Sequence, residues 1–358
     1  MQISRRHWLG LAGFGVTLGL AILRGPRSLI RQLLREPDAP HVPPQPIPAD
    51  RFARGTSSPV VVVMGEAPSE MLVEGLQLLG GLETLQLTGK RVLLKPNLLN
   101  DRPPPTTTNP AVVAAMVKAV RQAGAADVVV ADGSGMIRLP TAENFLATGM
   151  QAAVEGAGAR VAYLEEEPWV EVTPPQASVL RRFLISRPVY EADVVINLPV
   201  VKSHRFAEYS CGLKNMVGIV HPRHRPSLAF LSGHWHERIA EINLAVHPAL
   251  TIADATSIMV DGGPTSGTAA RANLLLLSGD RVALDVVALA LLRSYGVNRR
   301  LLEGSVWEQR QIKRAGELGL GVRGASGMAL LGRSLARVQG PFDELLSRLK
   351  RDIGIGGR

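Results

Sequence analysis

Runs of Val, Ile and Leu recur at intervals along this chain, at residues 59–64, 91–95, 127–131, 159–164, 193–198, 250–253 and 273–277. They are almost continuously apolar and lack the polar alternation of a sheet with one wet face. Such runs fit parallel strands covered on both sides. Between them, residues 69–80, 110–123, 141–156 and 281–294 carry apolar side chains at helical spacing. Asn109 before Pro110 supplies an N-cap and a proline at the first helical position, and Gly124 supplies a stop. The pattern predicts an α/β fold of three layers: a mostly parallel sheet with helices on both faces and a basic loop insertion at the carboxyl ends of the strands. This domain is expected over 59–298. A C-terminal helical extension, 299–358, follows, with Trp307, Ile312, Leu318 and Leu320 on one packed helix and Phe342, Leu345, Leu346 and Leu349 on a second.

Polar residues cluster where the apolar runs stop. Lys95, Pro96 and Asn97 end one run, Asp132, Gly133 and Ser134 another, Asn197 a third, Asp254 a fourth, and Ser278, Gly279 and Asp280 a fifth. A single Asp or Asn after a strand is usually a turn or cap residue. Five together suggest a shared site at the strand ends. The stretch 197–218, NLPVVKSHRFAEYSCGLKNMVG, adds Lys202, His204, Arg205, Lys214 and Asn215. Extended to Arg225, residues 202–225 hold five Lys or Arg against one acid, Glu208, a local +4 with three neutral His. That balance invites an anion.

The formal charge of +9 changes the picture little, because residues 1–54 hold eight Arg against three acids, a share of +5. The other +4 equals the sum over 202–225, so the remainder is near neutral. With aromatics at 4%, this argues against nucleic acid as a partner. At the N-terminus, Arg5 and Arg6 precede the apolar run 9–23, the order of an export signal. The adjacent Arg pair resembles a twin-arginine signal, which would make the twin-arginine translocation machinery a partner and place the folded domain outside the cytoplasmic membrane. An ordinary secretion signal or membrane anchor is the alternative. No small-x-small cleavage site is evident after Leu23, yet 15 apolar residues fall short of the ~20 that span a bilayer. Residues 1–35 are therefore expected to be a signal or anchor, with an amphipathic segment at 28–36. A Pro-rich extended linker follows over 36–58.

The blocks LLKPNLL, TTNPAVVAAMVKAVRQAGAADVVVADGSG, ADVVINLPVVKSH, GLKNMVGIV, LTIADATSIMVDGGP and SGDRVALDVVALALL, in that order over about 59–295, resemble the domain-of-unknown-function family 362. The resemblance implies a set of family-like polar positions: Lys95, Asn97, Asp132, Asn197, Lys202, His204, Lys214, Asn215, Asp254, Asp280 and Asp285. Some members are labelled iron–sulfur proteins through added ferredoxin-like cysteine motifs. This chain has none of these, and its one cysteine, Cys211, excludes both an intrachain disulfide and an intrachain Cys-ligated cluster. Cys211 reads as a small semi-buried side chain, with a cation-activated thiol as the alternative.

Chemistry suggests roles for these positions. Lys202, Lys214 and the block Arg223 to Arg225 can hold a carboxylate or phosphate, with Lys95 beside them and Asn97, Asn197 and Asn215 orienting it. His204 is expected to carry the proton, because it titrates near neutrality. The competing reading has Lys202 and Lys214 paired with Asp132 or Asp254 in a structural network. A divalent metal is a second possibility, with Asp132, Asp254, His221 and His224 as ligands, although Pro222 and Pro226 make that His pair a loop. The glycine segments at 132–135 and 261–267 match no nucleotide-binding signature. They read as turns. The segment 103–108, PPPTTT, is either a rigid lid or an extended linker. The expected function is an enzyme performing acid/base chemistry on a small anionic compound; a noncatalytic ligand-binding or assembly protein beside the membrane is the alternative.

Overall fold

The computed structural model describes residues 37–225, 233–296, 298–335 and 340–356. The export signal predicted at the N-terminus and the amphipathic segment after it lie outside the described residues. The strands are β1 (His41–Val42), β2 (Ser58–Met64), β3 (Arg91–Pro96), β4 (Asp127–Asp132), β5 (Arg160–Tyr163), β6 (Trp169–Val172), β7 (Phe183–Ser186), β8 (Val194–Leu198), β9 (Val200–His204), β10 (Glu208–Ser210), β11 (Leu250–Gly262), β12 (Gly267–Ser278) and β13 (Met328–Ser334). The helices are α1 (Pro68–Leu79), α2 (Pro110–Gln122), α3 (Thr141–Ala147), α4 (Met150–Gly156), α5 (Arg187–Glu191), α6 (Gly212–Asn215), α7 (Trp235–Ile242), α8 (Arg281–Ser294), α9 (Arg310–Glu317) and α10 (Gly340–Ile353).

A sheet of ten strands runs β13-β2-β12-β11-β8-β3-β4-β5, with β9 continuing alongside β11 and β10 folded back on β9. The pairings are parallel except those made by β12 and β10. The fold is α/β, as the apolar runs predicted. Successive residues of one strand face two different cores: Val60 and Val62 enter one, Val61 and Val63 the other. The second core is closed by α1, α2 and the α3–α4 pair, where Val112, Val113, Met116, Val117 and Val120 form the buried stripe of α2. The first core is closed mainly by α8, buried from Arg281 to Leu292, backed by α7, α9 and α10. A fully buried Val or Leu contributes about 1.5–3 kcal/mol, so these alternating strands are what fixes the sheet.

Four differences from the sequence reading have physical causes. The 141–156 helix is broken at Gly149, whose φ of +71° ends α3 and starts α4. The Pro-rich stretch from residue 37 is extended but docked: β1 pairs with β6, and the Gln45 amide donates to the Tyr190 carbonyl. The C-terminal extension is more than helical, since β13 pairs with β2 over seven residues and forms the sheet edge. The basic insertion is a buried strand, hairpin and helical turn. Among the described residues, no helix is long and apolar enough to cross a membrane.

Candidate functional site

The chain winds β3, β4, β5 to one side of β3 and then crosses to β8 on its other side. The strand order therefore reverses between β3 and β8. In open α/β sheets the crevice outside the carboxyl ends at such a point is where ligands bind. Lys95 and Asn197 are cross-strand partners at this place. Pro199 breaks the strand after Leu198, and β11 runs on from β8 to β9, pairing Thr251 with Asn197, then Asp254 with Val200 and Met259 with Lys202. Lys202 and His204 are thereby carried past the end of the sheet.

The hairpin β9–β10 turns back at Arg205 to Ala207, and the chain enters α6. Asp285 on α8 holds this turn: its carboxylate accepts from Gly212 N at 2.7 Å, Leu213 N at 3.2 Å and the Tyr209 hydroxyl at 2.9 Å. Burial pushes the Asp285 carboxyl up to about 7. Gly212 is required here because a Cβ would lie 2.8 Å from Asp285 Oδ1. Asn215 then donates to Asn197 Oδ1 at 2.8 Å and to the carbonyls of Lys95 and Pro96.

These elements enclose a cavity of about 290 Å³. Its walls include Lys95, Asn97, Asp132, Lys202, His204, Lys214, Asn215 and Arg225. The four cations and one carboxylate are not equivalent. Lys95 and Asp132 form a buried ion pair at 2.6 Å, and Asp132 also accepts from Leu98 N and Gly133 N. Arg225 donates to the carbonyls of Val220, Gly133, Ser134 and Gly218, which commits four of its five N–H groups to holding loops. The ammonium of Lys202, 1% exposed, donates to Asn97 Oδ1 at 2.5 Å and the Thr106 carbonyl at 2.7 Å, both neutral acceptors. Burial, and then the charge of Lys214, bring Lys202 down to about 7. Lys214 is half-buried over the Trp235 ring at 5.6 Å; among the described residues its ammonium has no hydrogen-bond or carboxylate partner. Burial, with Lys95 and Arg225 nearby, lowers it to about 8.

His204 occupies the site but in a fixed tautomer. Its Nδ1 accepts from Phe206 N at 3.2 Å and Ala207 N at 3.1 Å, so the neutral ring carries its proton on Nε2. Burial and the nearby lysines hold its pKa well below 6.5. It is thus a hydrogen-bond donor at neutral pH, and the expectation that it titrates near neutrality does not hold.

Other expected residues fall elsewhere. Asn197 lies buried beneath the cavity as a support, with its amide on the Gly212 carbonyl. Arg223 is exposed and absent from the cavity wall. The four proposed metal ligands do not converge: Asp254 caps the Asn109 N–H and Thr256, Asp132 is committed to Lys95, and His221 packs edge-on against Trp169 at 4.5 Å. Among the described residues, no group of three His, Cys, Asp or Glu is placed to hold a metal ion. The network reading fails too, since neither Lys202 nor Lys214 pairs with Asp132 or Asp254. Cys211 is fully buried, and burial raises its thiol well above the ordinary value.

Residues not singled out as site residues complete the cavity. Trp235, on α7, lines it, and among the described residues its buried Nε1–H has no partner. Asn215, an expected site residue, likewise has no partner for its Oδ1 among the described residues. The PPPTTT segment is neither lid nor linker: Thr108 Oγ1 donates to the Leu198 carbonyl and accepts from Asn97 N, which locks the asparagine that holds Lys202. Gly218 lets backbone pass the ion pair, since a Cβ there would lie 2.5 Å from Asp132 Oδ1. Its place in the block GLKNMVG was the available signal.

Fold and site together define a sheet protein with a cationic pocket at its switch point. The chain belongs to the family described as domain of unknown function (DUF362), whose model matches residues 92–290. The thylakoid-associated protein sll1697 of Synechocystis sp. is 30% identical over 242 residues, 61% of this chain and 68% of that protein. Among solved structures, the lactate racemase apoprotein from Thermoanaerobacterium thermosaccharolyticum is similar with a TM-score of 0.39 and 15% identity, over 62% of this chain and 54% of that one.

Proposed function

We propose that this protein is an enzyme that binds a small carboxylate or phosphate compound at the β3–β8 switch point and moves a proton with Lys202. The observation that carries the reading is the unequal state of the cavity's cations. Lys95 is neutralised by Asp132 and Arg225 is spent on carbonyls, whereas among the described residues Lys202 and Lys214 lack a carboxylate. An anion would supply the missing charge. Lys202 titrates near neutral pH, so the ammonium that attracts the anion and the amine that accepts a proton are both accessible, while two hydrogen bonds fix its position. Lys214 would clamp the anion, and His204 would donate from Nε2 to a neighbouring oxygen. His204 cannot act as the base without placing a second N–H against Phe206 N and Ala207 N.

For location, the reading is export by the twin-arginine route with the N-terminus available as a membrane anchor. The Arg5–Arg6 pair and the apolar run after it support this, as does the thylakoid association of a relative.

Calorimetric titration with inorganic phosphate and with simple mono- and dicarboxylates tests the site, comparing the native chain with Lys214→Met. Loss of binding by at least tenfold in the variant is expected. Transfer of deuterium from D₂O into a C–H of a bound organic acid, followed by proton NMR, tests the chemistry and should vanish in Lys202→Met. Anion binding that ignores Lys214 would overturn the site. Lys214-dependent binding with no exchange for any acid bound would leave a noncatalytic anion-binding role.

A further inference from the structure

The cavity has a second chemical character that the cations do not explain. Beyond its charged floor it is walled by Leu99, Met136, Ile137, Phe206, Val217 and Pro264. Two of these are held in water at some expense: Ile137 is 44% exposed and Phe206 is 56% exposed. They come from unrelated segments, Ile137 from the turn after β4 and Phe206 from the β9–β10 hairpin. Pro264 reaches the same opening from the β11–β12 loop, where Gly263 passes so close to Ser203 that a Cβ would lie 2.0 Å from its carbonyl oxygen. Three loops thus bring apolar side chains to one mouth. Scattered exposed hydrophobics are ordinary, but a group around a pocket marks a binding surface.

Trp235 adds an independent observation. It lies on the cavity wall, more than nine-tenths buried, with its indole N–H lacking any partner among the described residues. A buried donor left unpaired keeps the cost of its lost hydration, which an acceptor on a ligand would relieve. The indole face stands near the Lys214 ammonium, so the same ring borders the charged and the apolar halves.

Resting on the anion site proposed above, we infer that the ligand is an amphiphilic organic anion: a carboxylate or phosphate head on Lys202 and Lys214, and an apolar body, a ring or short chain, between Ile137, Phe206 and Pro264. The head accepts a hydrogen bond from Trp235. A cavity of about 290 Å³ holds a single small molecule, which selects a free metabolite-sized compound over a bilayer lipid.

A homologous series on the full-length protein tests this: inorganic phosphate, then methyl, propyl and pentyl phosphate, each titrated by calorimetry, with acetate, butyrate and hexanoate in parallel. Affinity should rise about fourfold per buried methylene, the equivalent of ~0.8 kcal/mol. Phe206→Ser and Ile137→Ser should flatten the slope, and Trp235→Phe should weaken every member of the series by a similar factor. A flat series with Lys214-dependent phosphate binding would overturn this inference and leave the anion site standing. Loss of Lys214 dependence for all anions would remove both. Binding to phosphatidic acid vesicles without any gain along the soluble series would place the apolar rim against a membrane and overturn the enclosed-ligand assignment.

Discussion

Neutralising Asp132 strands a positive charge under the sheet. In Asp132→Asn the Lys95 ammonium, with no exposed side-chain surface, loses a carboxylate 2.6 Å away, and the Leu98 and Gly133 N–H groups compete for one amide oxygen. At an effective dielectric of ~20, Coulomb's law gives about 6 kcal/mol for such a pair, most of which offsets the desolvation of two ions. Removing one partner leaves that desolvation uncompensated, at ~3–5 kcal/mol. Lys95→Met should cost a similar amount by isolating Asp132. The double variant leaves no lone charge, so its cost should fall below the sum of the singles by at least ~2 kcal/mol. Urea unfolding of the four proteins measures this. The pH dependence has a definite sign: without Asp132, Lys95 folds only as the neutral amine. Its proton is released at about 1.4 kcal/mol per pH unit below its unfolded pKa of ~10.4. The penalty should therefore shrink as pH rises from 7 to 9. Additive single costs, or a penalty that grows with pH, would refute the account of Lys95 and Asp132 as one buried unit.

Three further outcomes follow from the same geometry. Anion affinity should be level below pH 7 and decline as Lys202 and then Lys214 lose their protons above about 7 and 8, because an anion binds the charged forms; Lys202→Met should remove the first step in titrations across pH 6–9. Ligand-free stability should show the opposite trend in its Lys202 share, rising between about 7 and the unfolded value near 10.4, since the buried neutral amine is favoured. Gly218→Ala places a Cβ 2.5 Å from Asp132 Oδ1 and 2.7 Å from Lys95 Nζ and should lower stability by about 1–3 kcal/mol in thermal unfolding, with loss of anion binding. An unshifted melting temperature would show that the loop bearing Gly218 can give way.

The seven apolar runs all became strands of the main sheet, because a segment apolar on both faces is kept from water only inside a sheet covered on both sides. The Asn109 cap and the proline behind it fixed the start of α2 for equally local reasons. Other elements were silent. Residues 328–334, MALLGRS, form a strand because β2 offers a free edge, and Trp169–Val172 and Phe183–Ser186 because they pair with each other, with β1 on the other side of the first. The family-like polar residues were legible as a group, and most do meet at the strand ends.

Their division of labour was not legible. Composition showed a basic segment; pairing decided that Lys95 and Arg225 are spent on structure while Lys202 and Lys214 face the cavity without a carboxylate. A histidine in sequence suggests a titrating group near neutrality, yet two backbone N–H groups three residues or fewer away fixed the His204 tautomer, and burial lowered its basicity. The proposed metal ligands share a segment or a strand end, but Asp254 is turned to the α2 cap and His221 to Trp169. By itself the sequence determined the sheet and the strand ends at which a cationic cavity forms, because burial and local charge are written residue by residue. The ion pair and hydrogen bonds that set the lysines apart join distant residues, Lys95 with Asp132 and Asn97 with Lys202, and only the folded chain decides them.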